Sequence, residues 1–197
     1  MCFASSGTWW LNLNEKTKLD NEFNNKSERL SNEIEQRLSQ QIYGLNGVKS
    51  LFGVDENLSA AAFHTAINTH KLTEEYPGVR GIGFIEKVDK SDLDAYIAHQ
   101  KKDLGREFSL QEFGANPGQF RYLLKYFETP FGKHFVAGSD FGSDTRRLTA
   151  IEEAINSGLP SMTPLMYAPP KTEMRASIAL FVPVYKNGAS LKTPEER

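Results

Sequence analysis

The residues best placed to do chemistry lie between Gly138 and Thr163, GSDFGSDTRRLTAIEEAINSGLPSMT. Asp140 directly follows the mostly apolar run from Phe135 to Gly138 and precedes Phe141. A carboxylate in that setting is partly desolvated and needs a donor, because a buried charge left unpaired is costly. Two sources of a donor are open: Arg146 or Arg147 on the following helix, or an N–H group of a ligand. Two roles are open with them, a polar anchor for a small molecule or a structural aspartate that caps its turn or pairs with arginine. The aromatic residues Phe84, Phe120, Tyr122, Tyr126, Phe127 and Phe181 are able to wall an apolar pocket around such an anchor, or to fill a core.

No catalytic set accompanies this carboxylate. The phosphate loop G-x-x-x-x-G-K-[ST] is absent, and Gly78-Val79-Arg80-Gly81-Ile82-Gly83 departs from G-x-G-x-x-G and precedes a strand instead of following one. Ser139, in Ala137-Gly138-Ser139-Asp140, is no nucleophile elbow. Glu152-Glu153 reads as a solvated helix pair. No nucleophile, base and oxyanion donor are placed together, so the chain is expected to be a recognition module and not an enzyme.

The bulk composition narrows the partners. With 23 basic and 25 acidic residues and a net charge of -2, the chain lacks the electrostatic footprint that phosphate backbones require, and no nucleic-acid partner is expected. The single cysteine, Cys2, allows no intrachain disulfide. His64, His70, His99 and His134 show no ligand spacing, so neither a metal nor a cofactor is expected. Trp9 and Trp10, beside small residues and ahead of a polar helix, resemble the interfacial end of a membrane helix; a cloning scar or a surface loop is the other reading.

Several elements must position Asp140. From about Glu15 to Phe52, apolar residues fall at Leu19, Phe23, Leu30, Ile34, Leu38, Ile42, Leu45, Val48 and Phe52, a narrow stripe along one helix. That pattern suits a stalk that packs on a partner helix, with Gly44 and Gly47 as weak points; a surface helix broken at Gly44 is the alternative. A second helix starts at Asn57 or Ser59 and runs to about His70. Pro77-Gly78 turns the chain into a strand at Val79 to Val88, and Asp89 or Ser91 caps a helix that Gly105 ends. FSLQEFG reads as a short strand. FRYLLKYFE is apolar on both faces, as expected of a strand covered on both sides or lining a cavity. HFVAGSD leads into a helix from about Thr145 to Ser157, capped by Asp144 and stopped by Gly158-Leu159-Pro160. SMTPLMYA and RASIALFVPVY follow as strands. This order predicts an α+β fold with a long N-terminal stalk helix and mostly antiparallel sheets.

Taken together, YPGVRGIGFIEKV, then YFETP, GSDFGSDTRRLTAIEEAINSG, SMTP and FVPVY resemble the CHASE family, the extracytoplasmic sensory domains of cyclases and histidine kinases. The resemblance covers about Leu30 to Tyr185 and implies tandem PAS-like subdomains, a homodimer joined along the stalk, and flanking membrane helices. It therefore implies a periplasmic or extracellular sensor domain of a histidine kinase or diguanylate cyclase. It divides the chain into residues 1–14 as a membrane-exit segment or scar, 15–54 as stalk and 55–197 as sensory domain. Within that domain, about 75–170 is membrane-distal, and the membrane-proximal part starts near 171. The family pattern continues past Arg197, so a fragment is expected. In cytokinin-binding members, an aspartate matching Asp140 holds an adenine-like ring. Met162 and Thr163 match ligand-side residues there, and Tyr126 and Phe127 match the strand lining the pocket; Phe84 is the further wall candidate. Leu124-Lys125 departs from the usual Pro-Val, and the Pro169-Pro170-Lys171 loop is longer, so the expected ligand is cytokinin-like or another small molecule. A structural dimerisation module without a ligand is the alternative.

Overall fold

The computed structural model describes residues 5–69, 71–104, 108–131, 136–167, 176–191 and 193. Helix α1 spans Ser5–Val54 and starts ten residues before the predicted stalk. The reason is local: residues 5–14 hold no proline, and extending an existing helix fixes only one residue per added bond. The chain divides into two units, residues up to Tyr43 and residues from Gly44 onward. In the first unit the predicted stripe is exposed along most of its length, with Leu19, Phe23, Leu30 and Ile34 each more than half exposed, and only Leu38 and Ile42 near its end are partly buried.

In the second unit α1 continues unbroken through Gly44 and Gly47, which overturns the break at Gly44. Gly44 is there because the Tyr76 ring lies against the helix: a Cβ at this position would come within 2.6 Å of Tyr76 Cε1. Helix α2 (Ala60–Thr69) is capped by Ser59, whose Oγ accepts the Ala62 N–H at 3.2 Å. A single turn, α3 (Leu72–Glu75), leads to Tyr76. Strand β1 (Ile82–Asp89) passes through a 3-10 turn into α4 (Leu93–Leu104), with Asp89 capping the turn. Then come β2 (Gln111–Glu112), β3 (Phe120–Glu128), β4 (Ser139–Asp140), α5 (Thr145–Ser157), β5 (Ser161–Met162) and β6 (Leu180–Phe181). Gly105, His70, His134 and the 169–171 loop lie outside the described residues.

The main sheet has the order β1-β3-β4-β2, and β5-β6 form a separate two-stranded sheet. The expectation of antiparallel sheets is corrected at one edge: β1, β3 and β4 are antiparallel, but β2 runs parallel to β4. The β3–β4 connection returns the chain antiparallel to β3, so β4 ends up running in the direction of β2, with β3 outside the pair.

Strand β3 is apolar on both faces because both are covered, and a bulge changes which residues take each face. Phe84 pairs with Tyr126 but Ile85 pairs with Leu124, so Lys125 is the extra residue on β3 and the side-chain alternation reverses there. Before the bulge, Tyr122 and Leu124 pack with Phe141 and Ile151 under α5, joined beyond it by Phe127. On the other face Leu123 packs with Val88 and Phe108 beneath α4, and Tyr126 packs with Phe63 and Ile67 of α2 and Phe52 of α1. Leu104 touches both clusters of that second face. Phe63, Ile67, Phe108, Leu123 and Leu124 are almost wholly buried, each contributing about 1.5–3 kcal/mol of transfer free energy.

Candidate functional site

Asp140 sits on β4, between β3 and β2, with no accessible surface. Gly138 delivers it there. Its φ of +94° lies in the region that glycine alone adopts freely, and its N–H donates to the Leu124 carbonyl at 2.8 Å while its carbonyl accepts the Gln111 N–H at 3.1 Å. The chain is thereby stitched to β3 on one side and to the β2 segment on the other.

The two carboxylate oxygens have different surroundings. Oδ1 accepts the Gly142 N–H at 2.9 Å and the Tyr122 N–H at 3.1 Å, so it caps the 3-10 turn of Phe141–Ser143 and ties it to β3. Oδ2 has looser company: the Asn116 Nδ2–H group at 3.4 Å and Arg121 Nε at 3.3 Å. The Arg121 approach is an ion pair without hydrogen-bond direction, since buried Nε has no hydrogen-bond partner. Arg121 also donates Nη1–H to the Asn116 carbonyl at 2.8 Å and pairs through Nη2 with Glu112 Oε1 at 3.1 Å. The parallel register sets Glu112 beside Asp140, so one guanidinium serves two neighbouring carboxylates. Lys90 Nζ–H reaches the same Asn116 carbonyl at 3.1 Å.

The expected donors Arg146 and Arg147 are engaged elsewhere, with Asp144. Its Oδ1 accepts the Arg146 N–H at 3.0 Å as the cap of α5, and its Oδ2 lies 3.0 Å from Arg146 Nη2 and 3.4 Å from Arg147 Nη1. The hydrogen bond from the Arg146 side chain is the main cause that holds the Asp144 carboxyl below its ordinary range. The Arg147 guanidinium lies 5.0 Å from the Phe113 ring and 4.9 Å from the Phe141 ring, and burial lowers its pKa. The Tyr122 hydroxyl is pushed up to about 12, first by burial and then by the charges of Glu152 and Asp140.

The other predicted site residues divide among three places. Phe84 and Tyr126 come together in the cluster below α2: Phe84 stacks on Phe52 at 4.0 Å, and the Tyr126 hydroxyl donates to the Leu58 carbonyl at 2.7 Å. Phe127 lies on the opposite face, in the cluster that contains Tyr122 and Phe141, the two residues whose backbones adjoin Asp140. Met162 on β5 is 46% exposed, while Thr163 is buried and exchanges both of its hydrogen bonds with Ala179, at 2.9 Å each. Arg121, Asn116 and Glu112 were not foreseen as neighbours of Asp140. The available signal was Arg121 itself, a cation inside the otherwise apolar FRYLL. Among the described residues, no group of three His, Cys, Asp or Glu is arranged to hold a metal ion, and no helix is long and apolar enough to cross a membrane.

Fold and site together define an α+β module with a buried carboxylate network inside a mixed sheet. The chain belongs to the CHASE family, whose model matches residues 56–197. CHASE domains are extracytoplasmic sensory domains of signalling receptors. No curated protein matches the chain.

Proposed function

We propose that this chain is the periplasmic or extracellular sensor of a membrane-anchored receptor of the histidine kinase or diguanylate cyclase type. In this reading it binds an adenine-like, cytokinin-like or other small ligand, and signals through α1 as a homodimer joined along that helix. The tandem PAS-like division, with its membrane-distal part over about 75–170, belongs to the same reading. A single observation supports it best: the two oxygens of Asp140 are unequal. Oδ1 is committed to two backbone N–H groups at 2.9 and 3.1 Å, whereas Oδ2 keeps only an amide at 3.4 Å and a misdirected guanidinium. A ligand N–H is able to replace the Asn116 amide at Oδ2 without unfolding the turn that Oδ1 holds. Tyr122, Phe127, Phe181, Met162 and Thr163 then supply the neighbouring wall, with Phe84 and Tyr126 supporting the sheet from behind.

A thermal-shift screen with purines, cytokinins, amino acids and carboxylates tests the reading, because a ligand of the folded state raises stability by mass action. Titration calorimetry on Asp140→Asn then tests the anchor. Affinity should fall on the order of tenfold or more, as for loss of a charged hydrogen bond; unchanged affinity rejects Asp140 as the anchor.

The second reading is a dimerisation module without a small-molecule ligand. It is favoured by the exposed stripe of Leu19, Phe23, Leu30 and Ile34 and by the two hydrogen bonds that tie Thr163 to Ala179. A stabilising hit in the screen argues against it, and a dimer that forms with no hit argues for it.

A further inference from the structure

The segment after β6 joins two parts of the second unit. Phe181 on β6 pairs with Ser161 and packs in the cluster of α5. Three residues on, Val184 packs against the other cluster, that of Phe52 and Leu58. The Tyr185 hydroxyl then donates to the Ile155 carbonyl on α5 at 2.6 Å, while the same ring faces Lys49 Nζ of α1 at 5.9 Å. Asn187 completes the span: its side-chain N–H donates to the Gly53 carbonyl at 3.2 Å, and its backbone N–H donates to Glu56 Oε1.

The Asn187 contact is a helix cap supplied from far along the chain. The last four carbonyls of a helix have no partner within it, and they are usually served by a left-handed glycine or a cationic last turn. Helix α1 has no basic residue in its last turn, and Gly53 is not among the glycines of positive φ. Asn187 takes one of these orphan carbonyls. The stability of the end of α1 therefore depends on where residues 184–187 lie, and their position depends on α5 through Tyr185.

We propose that Val184–Asn187 is a coupling strap that transmits displacement of α5 and the β5–β6 pair to the C-terminal end of α1. What drives the strap rests on the sensor reading above; the coupling itself does not, and it is testable without a ligand. Coupling between two sites is reciprocal, so disturbing either end must loosen the other.

Hydrogen–deuterium exchange of the ligand-free chain provides the test. Tyr185→Phe keeps the ring and removes the hydroxyl that bonds α5, yet amides of residues 50–56 should exchange faster on the order of fivefold, about the value of one net hydrogen bond. Asn187→Ala removes the side-chain bond to the Gly53 carbonyl and leaves the backbone N–H to Glu56 in place, and residues 155–159 should speed up in turn. Helix α4 serves as the internal control and should not change. Effects confined to the mutated end overturn the proposal, and so does an equal rise in α4, which would be global loosening. A ligand screen without hits would sink the sensor reading and leave this result standing.

Discussion

Arg121 places its Nε 3.3 Å from Asp140 Oδ2 and its Nη2 3.1 Å from Glu112 Oε1, holding two carboxylates of adjacent parallel strands with one guanidinium. Removing that cation leaves the buried Asp140 carboxylate without its counter-charge, beside the exposed Glu112 in register on the next strand. Arg121→Leu should destabilise the fold by about 3–5 kcal/mol, the cost of stranding a buried charge. The change would be read as a lower urea midpoint at pH 7. Restoration of most of the loss by adding Glu112→Gln and Asp140→Asn would tie the effect to charge; no restoration would tie it to packing.

Asp144 gives a pH-dependent contribution whose sign follows from its lowered carboxyl pKa. The folded value lies below the unfolded one of about 3.8, so the stabilisation is full above that value and disappears as pH falls through the folded pKa. Asp144→Ala should cost about 1 kcal/mol at pH 7, the usual worth of a helix cap. The gap between wild type and variant should close as the medium is taken well below pH 3.8. A gap that persists in strong acid would mean that the carboxylate charge is not what matters there.

Tyr122 makes the opposite prediction at high pH. Its folded pKa of about 12 exceeds the ordinary 10.0, so its contribution is intact below pH 10 and is lost as pH rises toward 12. Tyr122→Phe has no proton to lose and should resist alkaline unfolding better than wild type over that window. Circular dichroism across pH 9–12 measures this, and coincident curves would argue against a buried, protonated hydroxyl.

The glycines of α1 separate two effects that share one substitution. Gly44→Ala pushes a methyl into the Tyr76 ring and should destabilise by about 1–3 kcal/mol. Gly47→Ala meets no atom within 4 Å and should stabilise by about 0.5–1 kcal/mol through helix propensity alone. Melting temperatures that move in opposite directions confirm the distinction; two stabilised variants would show that Tyr76 yields.

Much of the fold was legible because its signals are local. The stripe from Leu19 to Phe52 lies on a helix because apolar residues recur at helical spacing, and Asp144 and Gly158 bound α5 because capping is decided within one turn of chain. The double-sided apolar character of FRYLLKYFE was equally visible, and its span coincides with β3. The continuous helix came out as the stripe indicated, while the alternative of a break at Gly44 fell because the reason for that glycine, Tyr76, lies 32 residues away.

The sequence by itself determined the spans of β3 and α5, that Asp140 would be desolvated, and the family whose order of motifs the chain follows. Only the tertiary structure decided Asp140's partners. Arg121 and Asn116 reach it because the β3–β4 pairing and the parallel β2–β4 edge bring together residues 19 to 28 positions apart, while Arg146 and Arg147, nearest in sequence, turn to Asp144. It also decided that one extra residue, Lys125, puts Tyr126 and Phe127 on the faces opposite to those that plain alternation from Tyr122 would give them. Spacing along a chain fixes local periodicity, but strand register is set by pairing and packing across the sheet, and the surroundings of a buried charge follow from that register.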